Sequence, residues 1–125
     1  MTKYYYKNQL IRTSKTHANY THAVIQEWEG KIAVLACRSS EDGASKELNS
    51  FYNYHYGSRI ENKENKINAI KKGKKYFIAK DGRKTFKIEI NNKDSIEEEI
   101  AKLESLQDSA KRFLECTSVV EIEAR

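Results

Sequence analysis

Proline is absent from the 125 residues, and glycine occurs only five times. No ring interrupts a helix or a strand, so element ends must be set by caps and turns. Many lysines, asparagines and isoleucines accompany that absence and point to an AT-rich genome. Cysteine occurs twice, as Cys37 and Cys116, far apart and without the C-x-x-C spacing of a metal site. Two packed thiols are expected. No apolar run approaches the ~20 residues that span a bilayer. The opening "MTKYYYKNQL" lacks the apolar core of a signal peptide. A cytoplasmic chain with no membrane partner is expected. The length suggests one domain covering residues 1–125, with a modest core.

Charged residues make up 33% and the formal net charge is +5. A basic balance favours an anionic partner. The charge is divided, though: basic residues crowd "AIKKGKKYFIAKDGRKTFK" and acidic ones crowd "DSIEEEIAKLE". A duplex-binding surface is usually less divided, and the short RNA-recognition signatures are missing, so nucleic acid is not the favoured partner.

Periodicity predicts an α+β fold: an antiparallel β-sheet of hairpins packed with a central helix and a long C-terminal helix. "KYYYKNQLIRT" reads as a hairpin around Asn8-Gln9, with Tyr6 facing Ile11 and Tyr4 facing Thr13. "YTHAVIQEW" and "KIAVLACR" form a second hairpin around Glu29-Gly30, apolar enough to be covered on both faces. Ser39 or Ser40 caps a helix carrying Ala44, Leu48, Phe51, Tyr52 and His55 on one face. Gly57 is expected to stop it. "IENKENKINAIKK" is a second short helix with Ile60, Ile67 and Ile70 inward. Asp-Gly in "KKYFIAKDGRKTFKIEI" signals a third hairpin that pairs Phe77 with Phe86. Its one face is apolar and its other face basic. "DSIEEEIAKLESLQDSAKRFLEC" opens on a capping box, Asp94 with Glu97 or Ser95 with Glu98, and repeats apolar residues by threes and fours. "TSVVEIEA" is a last short strand. The wide apolar face of the long helix implies a second chain, hence a homo-oligomer.

Catalytic patterns are sparse. His17 and His22 lie near Ser14 and Thr16, which suggests a hydrolase pair. No orienting carboxylate and no G-x-S-x-G elbow accompany them. A solvated His17 and a sheet-bonded His22 account for both. Cys37 beside Arg38 is either an activated thiol or a buried strand residue. No enzyme activity, metal or cofactor is expected.

Two clusters suit binding instead. "RTSKTH" offers hydroxyls, a guanidinium and an ammonium, as a phosphate-binding turn requires. Arg12, Thr13, Ser14 and Lys15 supply donors there, in an expected loop, and Tyr20 walls the pocket. The competing view is that Lys15 and His17 keep a sheet edge soluble. "FYNYHYGSR" offers Tyr54 and Tyr56 for stacking on a purine and Arg59 for a phosphate. Together they describe a receptor for a nucleotide-like ligand.

"KYYYKNQLIRTSKTHANYTHAVI" and the following "VLACRSSEDGASKEL" resemble the phage anti-Thoeris sponge family. The resemblance lies between Lys3 and Leu48. It implies a counter-defence role in the cytoplasm of an infected bacterium. Thoeris is a defence system whose TIR-domain enzyme turns NAD into a cyclic ADP-ribose isomer, and sponges bind that signal without degrading it. They are oligomers with pockets shared between subunits, built from a β-sheet region and C-terminal helices. Other readings are a phage inhibitor of a nucleic-acid-targeting defence protein, like an anti-CRISPR, or a single-stranded nucleic-acid binder.

Overall fold

A computed structural model describes residues 1–16, 19–91 and 93–125. His17 and Ala18 of the expected phosphate-binding turn lie outside the described residues, as does Asn92. The fold is α+β, with antiparallel strands throughout. The elements are β1 (Thr2–Tyr6), β2 (Gln9–Ser14), β3 (His22–Trp28), β4 (Lys31–Arg38), α1 (Glu41–Tyr52), a π-helical segment (Asn53–Gly57) and α2 (Ser58–Lys71). They continue with β5 (Tyr76–Asp81), β6 (Lys84–Glu89), α3 (Ile96–Cys116), β7 (Thr117–Glu121) and β8 (Glu123–Ala124). The chain divides into two compact units, one of Met1–Phe51 with Phe113–Arg125 and one of Tyr52–Arg112.

The first unit is layered. One sheet has the order β2-β1-β8 and the other β4-β3-β7. The central strand β3 buries Ala23, Val24 and Ile25 completely. Alternation then sends those side chains to two faces. Ala23, Ile25 and Cys37 pack with Tyr6, Ile11 and Val34 on one side. Val24 and Ala36 pack with Ala44 and Leu48 of α1 on the other. The run "AVI" is apolar on both faces because both are covered.

The first hairpin turns one residue earlier than expected. Lys7 and Asn8 both take positive φ, 50° and 62°, so they are the turn. Tyr6 then faces Gln9, and a bulge between Tyr4 and Tyr5 brings Tyr4 opposite Arg12. Strand β2 also runs through Ser14, because Thr2 and Lys3 pair with Ser14 and Thr13. Arg12, Thr13 and Ser14 are therefore strand residues, and the loop begins at Lys15. The Glu29-Gly30 hairpin lies where the sequence places it, with Trp28 opposite Lys31.

Ser40 caps α1: its Oγ accepts the Gly43 N–H at 3.0 Å. Gly57 does not end the helix. Its φ of −56° is helical, and the chain passes through the π segment into α2. A Cβ on Gly57 would lie 2.9 Å from the Asn53 Oδ1, so the glycine makes room for a side chain. The stop comes at Gly73, at φ 70°. There Gly73 N–H bonds the Ile70 carbonyl and Lys74 N–H the Ala69 carbonyl, a Schellman closure.

In the second unit, β5 and β6 form a two-stranded sheet beside α2. Gly82, at φ 62°, takes the first turn position and Asp81 joins the ladder opposite Lys84. Phe77 accordingly faces Ile88, and Phe86 faces Ala79. The slip from the expected register is two residues, so each side chain keeps its face. Asparagines of α2 close the outer edge of β5. Asn62 accepts the Lys80 N–H at 2.8 Å and donates to the Lys80 carbonyl at 2.9 Å, and Asn65 donates to the Ile78 carbonyl at 3.3 Å. The edge of β6 has no such cover among the described residues, and all six of its residues are exposed.

Ser95 begins α3, and its Oγ lies 3.5 Å from the Glu98 N–H it caps. Among the described residues, no helix is long and apolar enough to cross a membrane.

Candidate functional site

The second unit holds a cleft of about 540 Å³. One wall is α2, whose Arg59, Asn62, Lys63 and Lys66 recur at three- and four-residue steps and so share a face. Lys102, Ser105 and Leu106 of α3 line it as well. The floor is Phe77, Ala79 and Ile88 of the hairpin. Cations ring an apolar base.

A buried carboxylate organises those cations. Glu99 is only 3% exposed, and Lys63 Nζ donates to it at 2.6 Å and Lys66 Nζ at 3.0 Å. Lys102 approaches to 3.6 Å and Asp94 pairs with Lys66 at 3.2 Å. Burial alone would raise the Glu99 carboxyl, but the hydrogen bonds from Lys63 and Lys66 outweigh it and hold the group down at about 2. Burial likewise works against the charge on Lys66, and its bonds to Glu99 and Asp94 outweigh that and raise it. Glu99 stays ionised and Lys66 stays charged, and both lysines are held in place by their bonds to the carboxylate. Four lining cations face two pairing carboxylates, which leaves two formal positive charges for a ligand. Glu99 was not among the residues expected to bind. Its position was legible, because it falls between Ile96 and Leu103 on the apolar stripe of α3, where a carboxylate requires partners.

Of the expected site residues, Arg59 lines this cleft. Tyr54 and Tyr56 lie in the π-helical segment and are not among its lining residues. Tyr54 is 72% exposed and meets His55 edge-on at 5.0 Å, while Tyr56 tilts against Tyr52 at 6.1 Å.

Arg12, Thr13, Ser14, Lys15 and Tyr20 belong to the first unit. Arg12 places its guanidinium 4.8 Å from the Tyr20 ring centroid, with Nη2 3.4 Å from the Tyr20 hydroxyl. Tyr20 in turn packs on the buried Tyr4 at 5.3 Å. Ser14 is buried and its Oγ is 2.9 Å from Thr16 Oγ1, so that hydroxyl closes the turn on itself. Thr13 and Lys15 are exposed. His22 lies in β3 with Nδ1 2.8 Å from Thr21 Oγ1. Burial pushes the Cys37 thiol up, against the weaker opposing effect of Arg12 and Arg38. That is the state of a packed thiol rather than an activated one. Both cysteines are free. Among the described residues, no group of three or more His, Cys, Asp or Glu is placed to hold a metal ion.

No protein-family model matches the chain, and neither a curated protein nor a solved structure is similar to it.

Proposed function

We propose that the protein binds and sequesters a cyclic ADP-ribose-type nucleotide, without turning it over, as a phage counter-defence protein in the host cytoplasm. The observation that carries the reading is the cleft between α2, α3 and the β5–β6 hairpin. Its volume of about 540 Å³ is in the small-molecule range. A pyrophosphate diester carries two negative charges, which match the two positive charges left over on the cleft wall. Arg59 supplies a fork of donors for phosphate oxygens. Phe77, Ile88 and Leu106 give a flat base an apolar surface. Lys63 and Lys66 are fixed by Glu99 before any ligand arrives, which lowers the ordering cost of binding.

The test is capture and release. The purified chain is incubated with the product of a TIR-domain NAD-consuming reaction, washed, and heat-denatured. Intact cyclic nucleotide in the supernatant supports the proposal. An altered nucleotide would make the protein an enzyme, and an empty supernatant would refute nucleotide binding. Salt adds a second criterion: a ligand that carries only two charges loses affinity gently from about 50 to 200 mM salt, unlike a polyanion.

A further inference from the structure

The positive charge of this chain is concentrated in one place. Residues 71–87 carry eight lysines and arginines against Asp81 alone, a net +7 in a chain of net +5, so the remainder is net negative. Of those eight, Lys80 alone is ion-paired among the described residues, to Glu61 at 3.2 Å. None of them lines the cleft.

This segment also has shape. Tyr76, 42% exposed at the start of β5, separates two troughs. One, of about 310 Å³, is lined by Lys72 and Lys74 with Asn68 and Ile78. The other, of about 440 Å³, is lined by Lys75 and Lys87 with Glu89 and Ile90. Tyr76 lines both, and Lys87 Nζ sits 4.0 Å from its ring centroid. Lysines that merely block edge-to-edge pairing belong on the open strand β6, as Lys84 and Lys87 do. That purpose does not account for Lys71 at the end of α2, or for Lys72, Lys74 and Lys75 in the turn ahead of β5. Nor does it account for an aromatic ring left exposed between two basic troughs.

We propose that this turn and hairpin form a track for single-stranded nucleic acid, separate from the cleft. Tyr76 stacks on a base, adjacent bases enter the two troughs, and Lys72, Lys74, Lys75 and Lys87 meet the flanking phosphates. An aromatic face between cationic grooves suits any base and requires it to be unpaired. A duplex would offer the lysines its phosphates but would leave Tyr76 nothing to stack on.

The test uses the full chain with fluorescein-labelled twelve-residue oligo-dT and oligo-U, read by fluorescence anisotropy between 50 and 300 mM KCl. Both strands bind the wild type, and a duplex of the same length binds more weakly. Four phosphate contacts give a log–log salt slope of roughly −3. Tyr76→Phe keeps the affinity within about two-fold, whereas Tyr76→Ala loses about 5- to 150-fold, the range of one base stack. Lys74→Ala with Lys75→Ala, at exposed turn positions, weakens binding and flattens the slope by about 1.4. Arg59→Ala leaves oligonucleotide binding unchanged. Failure of either strand to bind at 50 mM KCl overturns the proposal. So does equal or tighter duplex binding, or a folded Tyr76→Ala variant that binds like the wild type.

Discussion

Removing the charge of Glu99 is the perturbation whose size the structure best defines. The Glu99 carboxyl drops from 4.5 to about 2 in the folded chain. At 1.36 kcal/mol per pH unit this is ~3 kcal/mol of stability at neutral pH. Breaking a buried ion pair from one side costs about 3–5 kcal/mol, the same order. Glu99→Gln keeps the shape, loses the charge, and leaves Lys63 and Lys66 facing an amide that can satisfy only part of their donors. Its urea midpoint should therefore fall by roughly 1–3 M at pH 7, given slopes of about 1–3 kcal/mol per molar. The pH dependence has a definite sign. A carboxyl whose folded value is depressed stabilises fully above its unfolded value and loses that contribution as pH falls toward the folded one. The gap between wild type and variant should hold from pH 7 to about 5 and shrink by about half near pH 3. A gap under about 0.5 kcal/mol at pH 7, or one that does not narrow on acidification, would refute the assignment of Glu99 as the ionised centre of this cluster.

Replacing the whole cluster, as Lys63→Met, Lys66→Met and Glu99→Leu together, should leave stability near or above wild type while abolishing nucleotide capture; chemical denaturation and calorimetry separate the two. Arg59→Ala should weaken capture by about 10-fold or more with a stability change within ~0.5 kcal/mol, since Arg59 is exposed and the lost contact is to ligand. Arg12→Ala should leave capture intact and cost the first unit at most ~1 kcal/mol, the worth of an exposed cation–π contact. Asn62→Ala should speed hydrogen exchange at the Lys80 amide and destabilise by ~1–2 kcal/mol, because two backbone groups of β5 lose their partner. The homo-oligomer that the family resemblance implies should give at least a dimer mass in light scattering; a monomer mass at micromolar concentration would oppose this.

Element type and face were legible because they depend on period, which survives errors of register. The β5–β6 hairpin shows why: Gly82 rather than Asp81 opens the turn, the ladder shifts by two, and Phe77, Ala79, Phe86 and Ile88 still share a face. The β1–β2 hairpin was harder. Lys7 with Asn8 and Asn8 with Gln9 are similar polar pairs, and only the φ values choose between them. The bulge at Tyr4/Tyr5 then undoes any register counted from the turn. Gly57 misled for another reason. A glycine near a helix end usually marks a left-handed cap, but here the space it frees is taken by Asn53 within a continuing helix. Local sequence does not distinguish those uses.

The candidate site was legible only in part, because it is assembled by packing across distant segments. Arg59 was chosen for its nearness to the aromatic cluster "FYNYHYGSR", yet it lines the cleft through its spacing with Lys63 and Lys66 on α2. Those lysines sit in a run of charge that reads as a solvated face. Their counterpart Glu99 sits in another run of like appearance, 33 residues beyond Lys66. Net charge cannot separate a carboxylate in water from one sealed under two ammonium groups. Amphipathic phase can, because Glu99 occupies the stripe of Ile96, Leu103 and Leu106, where an unpartnered charge would cost several kcal/mol. A carboxylate in that stripe demands a cation on the element packed against it. The only α-helix in this unit besides α3 is α2, among the described residues, and its buried Ile67 marks the inward side. Lys63 is one turn before Ile67 on that side and Lys66 is adjacent. The cationic wall therefore follows from the burial of one glutamate, and the capacity of the cleft for an anion is a consequence of how α3 packs.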